Sequence, residues 1–139
     1  IGLTAPETFS FFPKENMDFS HEEPEKALAR LLPALGEKTD YIVALSQMGR
    51  KTDEAVAAKA AGLGLIIGGH SQTLLEKEIQ AGECRIVQAG KGGGRVGEVI
   101  LEFDGSNTLK NFSYRLIEVN DRYSTTPDVR AIVDAAGAP

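Results

Sequence analysis

Four short apolar runs place the strongest constraint on how this chain can fold. They cover residues 1–4, 41–45, 63–67 and 85–89. The segments between them are long enough for a helix or rich in loop residues, which is typical of strands joined by crossover connections. We therefore expect the four runs to form one sheet of an α/β fold.

The segments after the first run predict two helices and a shorter third one. Residues 5–19 contain prolines without periodicity and indicate a loop. Ser20 and Glu23 match a capping box, and the apolar period that follows ends at Gly36. An alanine-rich helix capped by Thr52 or Asp53 and ending at Gly62 comes next, and a short helix is expected over residues 74–79.

The last third of the chain shows a different pattern. Residues 96–103 and 112–119 partly alternate in hydrophobicity on either side of a polar turn, which predicts an antiparallel β-hairpin. Thr126 and Pro127 begin a final amphipathic helix. The order of elements is thus α/β units first and antiparallel strands afterwards.

Composition excludes several classes of protein. The chain has 139 residues and a formal net charge of −5, which gives no electrostatic footprint for nucleic acid. No apolar run approaches the ~18 residues of a membrane span, so we expect neither a nucleic-acid nor a membrane partner. The single cysteine, Cys84, excludes an intrachain disulfide.

Polar residues follow two of the predicted strands and form the candidate site. Ser46 and Gln47 come after one strand, and Gly68-Gly69-His70-Ser71-Gln72 follows the next. Loops at the carboxyl ends of parallel strands are where open α/β sheets bind ligands. His70 and Gln72, two residues apart, can present two donors to one metal ion or metal pair. The alternatives are that Gln47 satisfies loop backbone groups and that His70 is a structural histidine.

Two glycine-rich matches do not support nucleotide-binding motifs. Gly92, Gly94 and Gly97 have the spacing of a dinucleotide fingerprint, but a strand and not a helix is predicted after them. Gly90-Lys91-Gly92 lacks the Ser or Thr of a P-loop. Since Cys84 is in a strand and no Gly-x-Ser-x-Gly elbow occurs, we assign no catalytic nucleophile.

Several linked blocks, in this order, resemble the calcineurin-like metallophosphoesterases. The similarity is to their 5′-nucleotidase branch, which includes UDP-sugar hydrolases. It extends over almost the whole chain and rests on Ile1–Thr8, Val43–Gly49, Asp53, Ile66–Thr73, Ile86–Lys91 and Gly97.

The resemblance implies a fold, an activity and a set of metal ligands. The fold is α/β, as part of a four-layer αββα sandwich with a mixed sheet and a C-terminal antiparallel hairpin. The activity is hydrolysis of nucleotide or related phosphate esters with two divalent metal ions, Zn²⁺ or Mn²⁺. By position in the motifs, His70 and Gln72 are metal ligands, and Gln47 replaces a histidine that normally binds the second metal.

The resemblance also implies that the chain holds only part of a catalytic domain. The metal-binding motifs of the family's first half do not occur in the sequence. Residues 1–125 would then be the second half of the domain and residues 126–139 a linker helix. We expect the chain alone to be inactive and to need the first half or another chain as partner. A periplasmic or extracellular location is implied, and the alternative function is a non-catalytic α/β binding module derived from the family.

Overall fold

The computed structural model describes residues 1–11, 20–120 and 122–137. Within these ranges the chain forms seven strands, three α-helices and one 3₁₀ helix. The strands are β1 Gly2–Thr4, β2 Val43–Gln47, β3 Leu65–Ile67, β4 Ile79–Ala81, β5 Cys84–Val87, β6 Arg95–Phe103 and β7 Leu109–Glu118. The helices are α1 Pro24–Gly36, α2 Arg50–Ala57, α3 Pro127–Ala135 and the 3₁₀ helix Pro6–Phe11.

Five strands form one mixed sheet in the order β1-β2-β3-β5-β4. The first four of these are parallel to their neighbours, and β4 pairs antiparallel with β5 at the edge. This arrangement confirms the prediction that the four apolar runs share a sheet. Because α1 and α2 connect successive parallel strands, the loops after β2, β3 and β5 all lie at the same edge of the sheet.

The hydrophobic core lies between one face of this sheet and the two helices α1 and α2. Strand alternation points every second side chain to this face, where it meets the apolar stripe of each helix. The buried side chains there include Leu3, Ala44, Ile66 and Ile86 from the strands and Leu28, Leu32, Val56 and Ala57 from the helices.

The opposite face of the sheet is only partly covered. On the β5 side, the guanidinium of Arg85 lies 4.7 Å from the ring centroid of Phe112 in β7. Phe103 of β6 meets Tyr41 edge to face, with ring centroids 5.6 Å apart. On the β2 side, Leu45 and Ile67 are register neighbours and are 61% and 41% exposed. A continuous apolar strip of the sheet therefore faces solvent.

The strands β6 and β7 form a separate antiparallel pair, as the sequence predicted. Their turn is organised by Asp104, which accepts hydrogen bonds from the backbone N–H groups of Ser106 and Thr108, both 2.9 Å long. Lys110 Nζ lies 2.9 Å from the other carboxylate oxygen. The hydrogen bonds of Ser106 and Lys110 hold the pKa of Asp104 well below its usual value.

Two local predictions are wrong. No helix forms over residues 74–79, because Leu74 bridges to Ala89 and Ile79 enters β4. Gly82, with φ +61°, allows the tight return into β5. Residues 6–11 form a 3₁₀ helix in place of the predicted loop, and residues 12–19 lie outside the described ranges.

The helix ends also differ from the predicted caps. Glu23, and not Ser20, is the N-cap of α1; its side chain makes no capping hydrogen bond, and Pro24 fills the first helical position. Pro33 lies inside α1, which ends at Gly36. The second helix begins at Arg50 after the N-cap Gly49, so Thr52 and Asp53 are not its caps. None of the helices in the described ranges is long and apolar enough to cross a membrane.

Candidate metal-binding site

Three polar segments meet at the carboxyl edge of the parallel strands. Gln47 is the last residue of β2, the segment Gly68–Thr73 follows β3, and Gln88 follows β5. The backbone N–H of Gly68 donates to the carbonyl of Val87 at 2.8 Å, which joins the second segment to the third. The sheet thus brings the predicted strand-end loops together.

The segments of Gln47 and His70 are in direct contact. A Cβ added to Gly69 would lie 2.5 Å from Gln47 Oε1 and 3.1 Å from the carbonyl of Ser46, so a larger residue could not approach β2 so closely. A Cβ added to Gly49, which has φ +86°, would lie 3.3 Å from Cδ2 of His70. Two glycines therefore let the amide of Gln47 and the imidazole ring lie on adjoining loops.

His70 is held in a strained backbone conformation. Its φ is +62°, and the N–H of Ser71 donates to the carbonyl of Gly69 at 2.7 Å, which makes a three-residue γ-turn centred on His70. Gln72 also has a positive φ, of +54°. Left-handed backbone at a residue other than glycine costs about 1–2 kcal/mol and is concentrated at functional sites. The loop is thus strained at the two residues that the sequence singled out.

A buried carboxyl group supports the start of the Gln47 loop. Asp53 of α2 is fully buried, and its Oδ1 accepts a 2.5 Å hydrogen bond from Ser46 Oγ. Its Oδ2 lacks a hydrogen-bond partner among the described residues and lies against Gly68, where an added Cβ would be 2.9 Å away. Burial raises the pKa of Asp53, and the Ser46 hydrogen bond only partly opposes this shift.

Gln88 is another buried polar side chain at this edge. Its Nε2 donates to the carbonyl of Gly69 at 2.9 Å, and its Oε1 accepts from Ser71 Oγ at 3.1 Å. The same hydroxyl oxygen of Ser71 accepts the backbone N–H of Arg50 at 3.1 Å. Sequence reasoning gave no role to Gln88, although a polar residue after an apolar strand is the signal that identified Gln47.

All three residues predicted as metal ligands have exposed side chains. Gln47 ends β2, and His70 and Gln72 lie two residues apart in the adjoining loop after β3. Gln47 and Gly69 also line an open depression of about 460 Å³ that extends along the uncovered sheet face past Leu45 and Ile67. The depression places the amide of Gln47 beside space large enough for a ligand or for another part of a domain.

The donor types fit part of the coordination shell of a divalent metal. The imidazole nitrogen of a histidine suits Zn²⁺-like ions, and the amide oxygens of the two glutamines suit harder ions. Within the part of the chain that the structure describes, no three or more His, Cys, Asp or Glu residues form a group able to hold a metal ion. A complete metal site would need further ligands, carboxylates above all.

Comparison with known proteins finds relatives that resemble the chain. No family model matches it. The 5′-nucleotidase of Bos taurus is 27% identical over 157 residues, which cover 96% of this chain and 26% of that protein. The trifunctional nucleotide phosphoesterase protein YfkN of Bacillus subtilis is 30% identical over 103 residues, or 70% of this chain and 7% of that protein. The chain thus spans about a quarter or less of these relatives.

A solved structure shares the fold over the entire chain. The sulfate thiohydrolase SoxB of Thermus thermophilus, in complex with glycerol, superposes with a TM-score of 0.80 at 25% sequence identity. The superposition covers 100% of this chain and 26% of that one. The chain is thus similar, over almost its whole length, to part of the metallophosphoesterases of the 5′-nucleotidase branch. The predicted α/β fold, with its mixed sheet and antiparallel hairpin, is confirmed.

Proposed function

We propose that this chain is part of a 5′-nucleotidase-like, metal-dependent phosphoesterase. Its substrate would be a nucleotide or a related phosphate ester, as the names of the 5′-nucleotidase and nucleotide phosphoesterase relatives suggest. His70, Gln72 and Gln47 would be ligands of divalent metal ions, Zn²⁺ or Mn²⁺, two of which would serve the complete domain. A periplasmic or extracellular location is part of the same proposal.

The contact between the Gln47 and His70 loops carries this proposal. An amide oxygen and an imidazole on adjoining loops, at the carboxyl ends of parallel strands, match where α/β sheets bind ligands. The strained backbone of His70 and Gln72 supports the same assignment, because such strain persists where function requires a fixed side-chain direction.

Each ligand would have a limited task. A bound divalent ion polarises the phosphoryl oxygens and supplies a nucleophile at neutral pH. The imidazole of His70 and the amide oxygens of Gln72 and Gln47 would hold the ions at this edge. Because an amide oxygen is a poorer donor than imidazole for Zn²⁺-like ions, Gln47→His should tighten metal binding, and equal affinity would place Gln47 outside the site.

The uncovered sheet face supports the proposal that the chain completes a larger domain. Residues 1–125 would be the second half of the catalytic domain, and residues 126–139 a linker helix. The exposed strip of Leu45 and Ile67 continues into the depression at Gln47, so the first half would both cover apolar surface and bring the missing ligands.

The activity test compares the 139-residue chain with the intact gene product. Both are assayed with p-nitrophenyl phosphate and nucleoside monophosphates in the presence of Mn²⁺ or Zn²⁺. We expect turnover only by the intact gene product, and a loss of at least about 100-fold with His70→Ala, because a ligand is removed. Turnover by the chain alone that depends on His70 would contradict the proposed division of the domain.

The second candidate function is a non-catalytic binding module derived from the family. It is favoured by the neutral donor set, since Gln47 and Gln72 supply amides and no three or more His, Cys, Asp or Glu residues form a metal-holding group among the described residues. An intact gene product that binds nucleoside monophosphates without metal and without hydrolysis would support this function over the first.

A further inference from the structure

The side-chain amide of Gln88 forms hydrogen bonds with both ends of the γ-turn centred on His70. The turn consists of Gly69, His70 and Ser71, and its own hydrogen bond joins the first residue to the third. Gln88 Nε2 donates to the carbonyl of Gly69 at 2.9 Å, and Gln88 Oε1 accepts from Ser71 Oγ at 3.1 Å. One amide group therefore fixes the residue before His70 and the residue after it.

Gln88 is itself rigidly held. It is 3% exposed and follows β5 directly, between the sheet and the hairpin. Its backbone carbonyl accepts the N–H of Leu75 at 3.0 Å and the hydroxyl of Tyr114 at 3.3 Å. A buried side-chain amide whose oxygen and nitrogen are both hydrogen-bonded has little freedom to rotate. Gln88 can therefore hold the loop after β3 in a fixed position relative to the sheet.

The strain of the turn explains why such a clamp is needed. His70 has a φ of +62°, a conformation that side-chain-bearing residues rarely adopt without support from their surroundings. Without the bonds of Gln88, the turn would keep only its internal hydrogen bond and the contacts of Ser71. The loop could then relax, and the imidazole would lose its fixed place beside Gly49 and Gln47.

We propose that Gln88 is the positioning residue of His70. It acts on the backbone on both sides of His70 and not on the metal or the substrate. The proposal rests on the proposed function, in which the imidazole of His70 is a metal ligand. Partners that orient a ligand typically change metal affinity about 10- to 100-fold when they are removed.

Gln88→Met tests the proposal in the intact gene product. Methionine keeps the length and shape of the side chain but makes neither hydrogen bond. The matched control is Gln80→Met. Gln80 lies in the neighbouring strand β4, and its Nε2 also donates to two backbone carbonyls, those of Gly82 and Cys84. Mn²⁺ affinity is measured by titration calorimetry at a temperature where both variants are folded.

We expect Gln88→Met to weaken Mn²⁺ binding about 10- to 100-fold and Gln80→Met to change it less than about threefold. If Gln88→Met and Gln80→Met bind Mn²⁺ equally well while His70→Ala binds it more weakly, the positioning role of Gln88 is overturned and the proposed function stands. If Gln88→Met does not fold, Ser71→Ala removes one of the two clamp bonds and should weaken binding in the same direction. Unchanged affinity of that variant would overturn the proposal.

The histidine NMR signals separate the two proposals. If His70→Ala leaves Mn²⁺ affinity unchanged, the metal-ligand role fails. The imidazole resonances of His70 in the metal-free protein then decide the role of Gln88. A shifted or exchange-broadened ring signal in Gln88→Met but not in Gln80→Met supports positioning, and an unchanged signal overturns it.

Discussion

The α/β part of the chain, residues 1–90, and the C-terminal part, residues 95–137, are stabilised in different ways. Every buried side chain of the described residues belongs to the first part, which packs one sheet face against α1 and α2. The second part has none. It consists of a hydrogen-bonded hairpin with exposed ion pairs, such as Arg115 with Glu98, and the exposed helix α3.

This difference explains where the candidate site lies. A strained loop needs surroundings that cannot move, and only the α/β part has a close-packed core behind its loops. The contacts of the hairpin with that part include Arg85 with Phe112, Tyr41 with Phe103, and Tyr114 with Gln88. We infer that the sheet sets the geometry of the site and that the hairpin supports it from one side.

A pair of isoleucine substitutions gives the largest expected contrast. Ile66 in β3 is 0% exposed, whereas Ile100 in β6 is 48% exposed. Ile66→Ala should lower the free energy of unfolding by about 2–5 kcal/mol, because it leaves a cavity in the core. Ile100→Ala should lower it by less than about 1 kcal/mol. Urea denaturation of the 139-residue chain measures both, and similar losses would contradict the division into two parts.

The pH dependence of stability tests the buried carboxyl group of the first part. Because the folded pKa of Asp53 is raised by burial, its protonated form is favoured in the folded state. Its contribution is fully present below the unfolded pKa near 3.8 and is lost as pH rises through the folded pKa.

Asp53→Asn should remove this loss, since the amide stays neutral and can still accept the Ser46 hydrogen bond. The stability of the variant relative to the wild type should therefore increase as pH rises from about 3.8 toward neutrality. Thermal unfolding across this range is the measurement. A constant difference would mean that Asp53 ionises as easily in the folded chain as in the unfolded one. Asp104→Asn is the control in the second part: because the pKa of Asp104 is lowered, the contribution of its carboxylate is lost as pH falls, so the stability of this variant relative to the wild type should increase as pH falls below about 3.8.

The smallest effect concerns the hydrogen bond that joins the two parts. Tyr114→Phe removes the hydroxyl that donates to the carbonyl of Gln88, and this should cost about 0.5–1.5 kcal/mol. Tyr123→Phe is the matched control, because Tyr123 is exposed in the C-terminal part. Chemical denaturation should show no loss for the control. Equal values for both would mean that the hydroxyl of Tyr114 does not hold the hairpin to the site.

The parallel strands and the hairpin could be predicted from sequence, whereas short and contact-dependent features could not. Apolar runs spaced by helix-length segments indicate a parallel sheet on their own. The strand β4 has three residues, one of them polar, so it is too short to show a period, and its return depends on the positive φ of Gly82. The N-cap of α1 is Glu23 and not the predicted Ser20, because Pro24 occupies the first helical position.

The candidate site was only partly predictable for the same reason. Gln47 and His70 could be singled out because each follows an apolar strand, and the structure places their loops in contact. The clamp of Gln88 on Gly69 and Ser71 spans 19 and 17 residues of sequence, and neither spacing has a signature. Buried polar partners of this kind are recognisable only once the sheet brings the strand ends together.

Paramagnetic broadening by Mn²⁺ tests the central claim most directly, namely that the strand-end edge of the α/β part carries the metal donors. Substoichiometric Mn²⁺ is added to the ¹⁵N-labelled chain, and amide signal loss is mapped by residue. We expect loss centred on Gln47 and residues 69–72, reduced in His70→Ala, with β6 and β7 unaffected. Loss centred on the Asp104 turn of the hairpin, with the signals of residues 69–72 intact, would contradict the account.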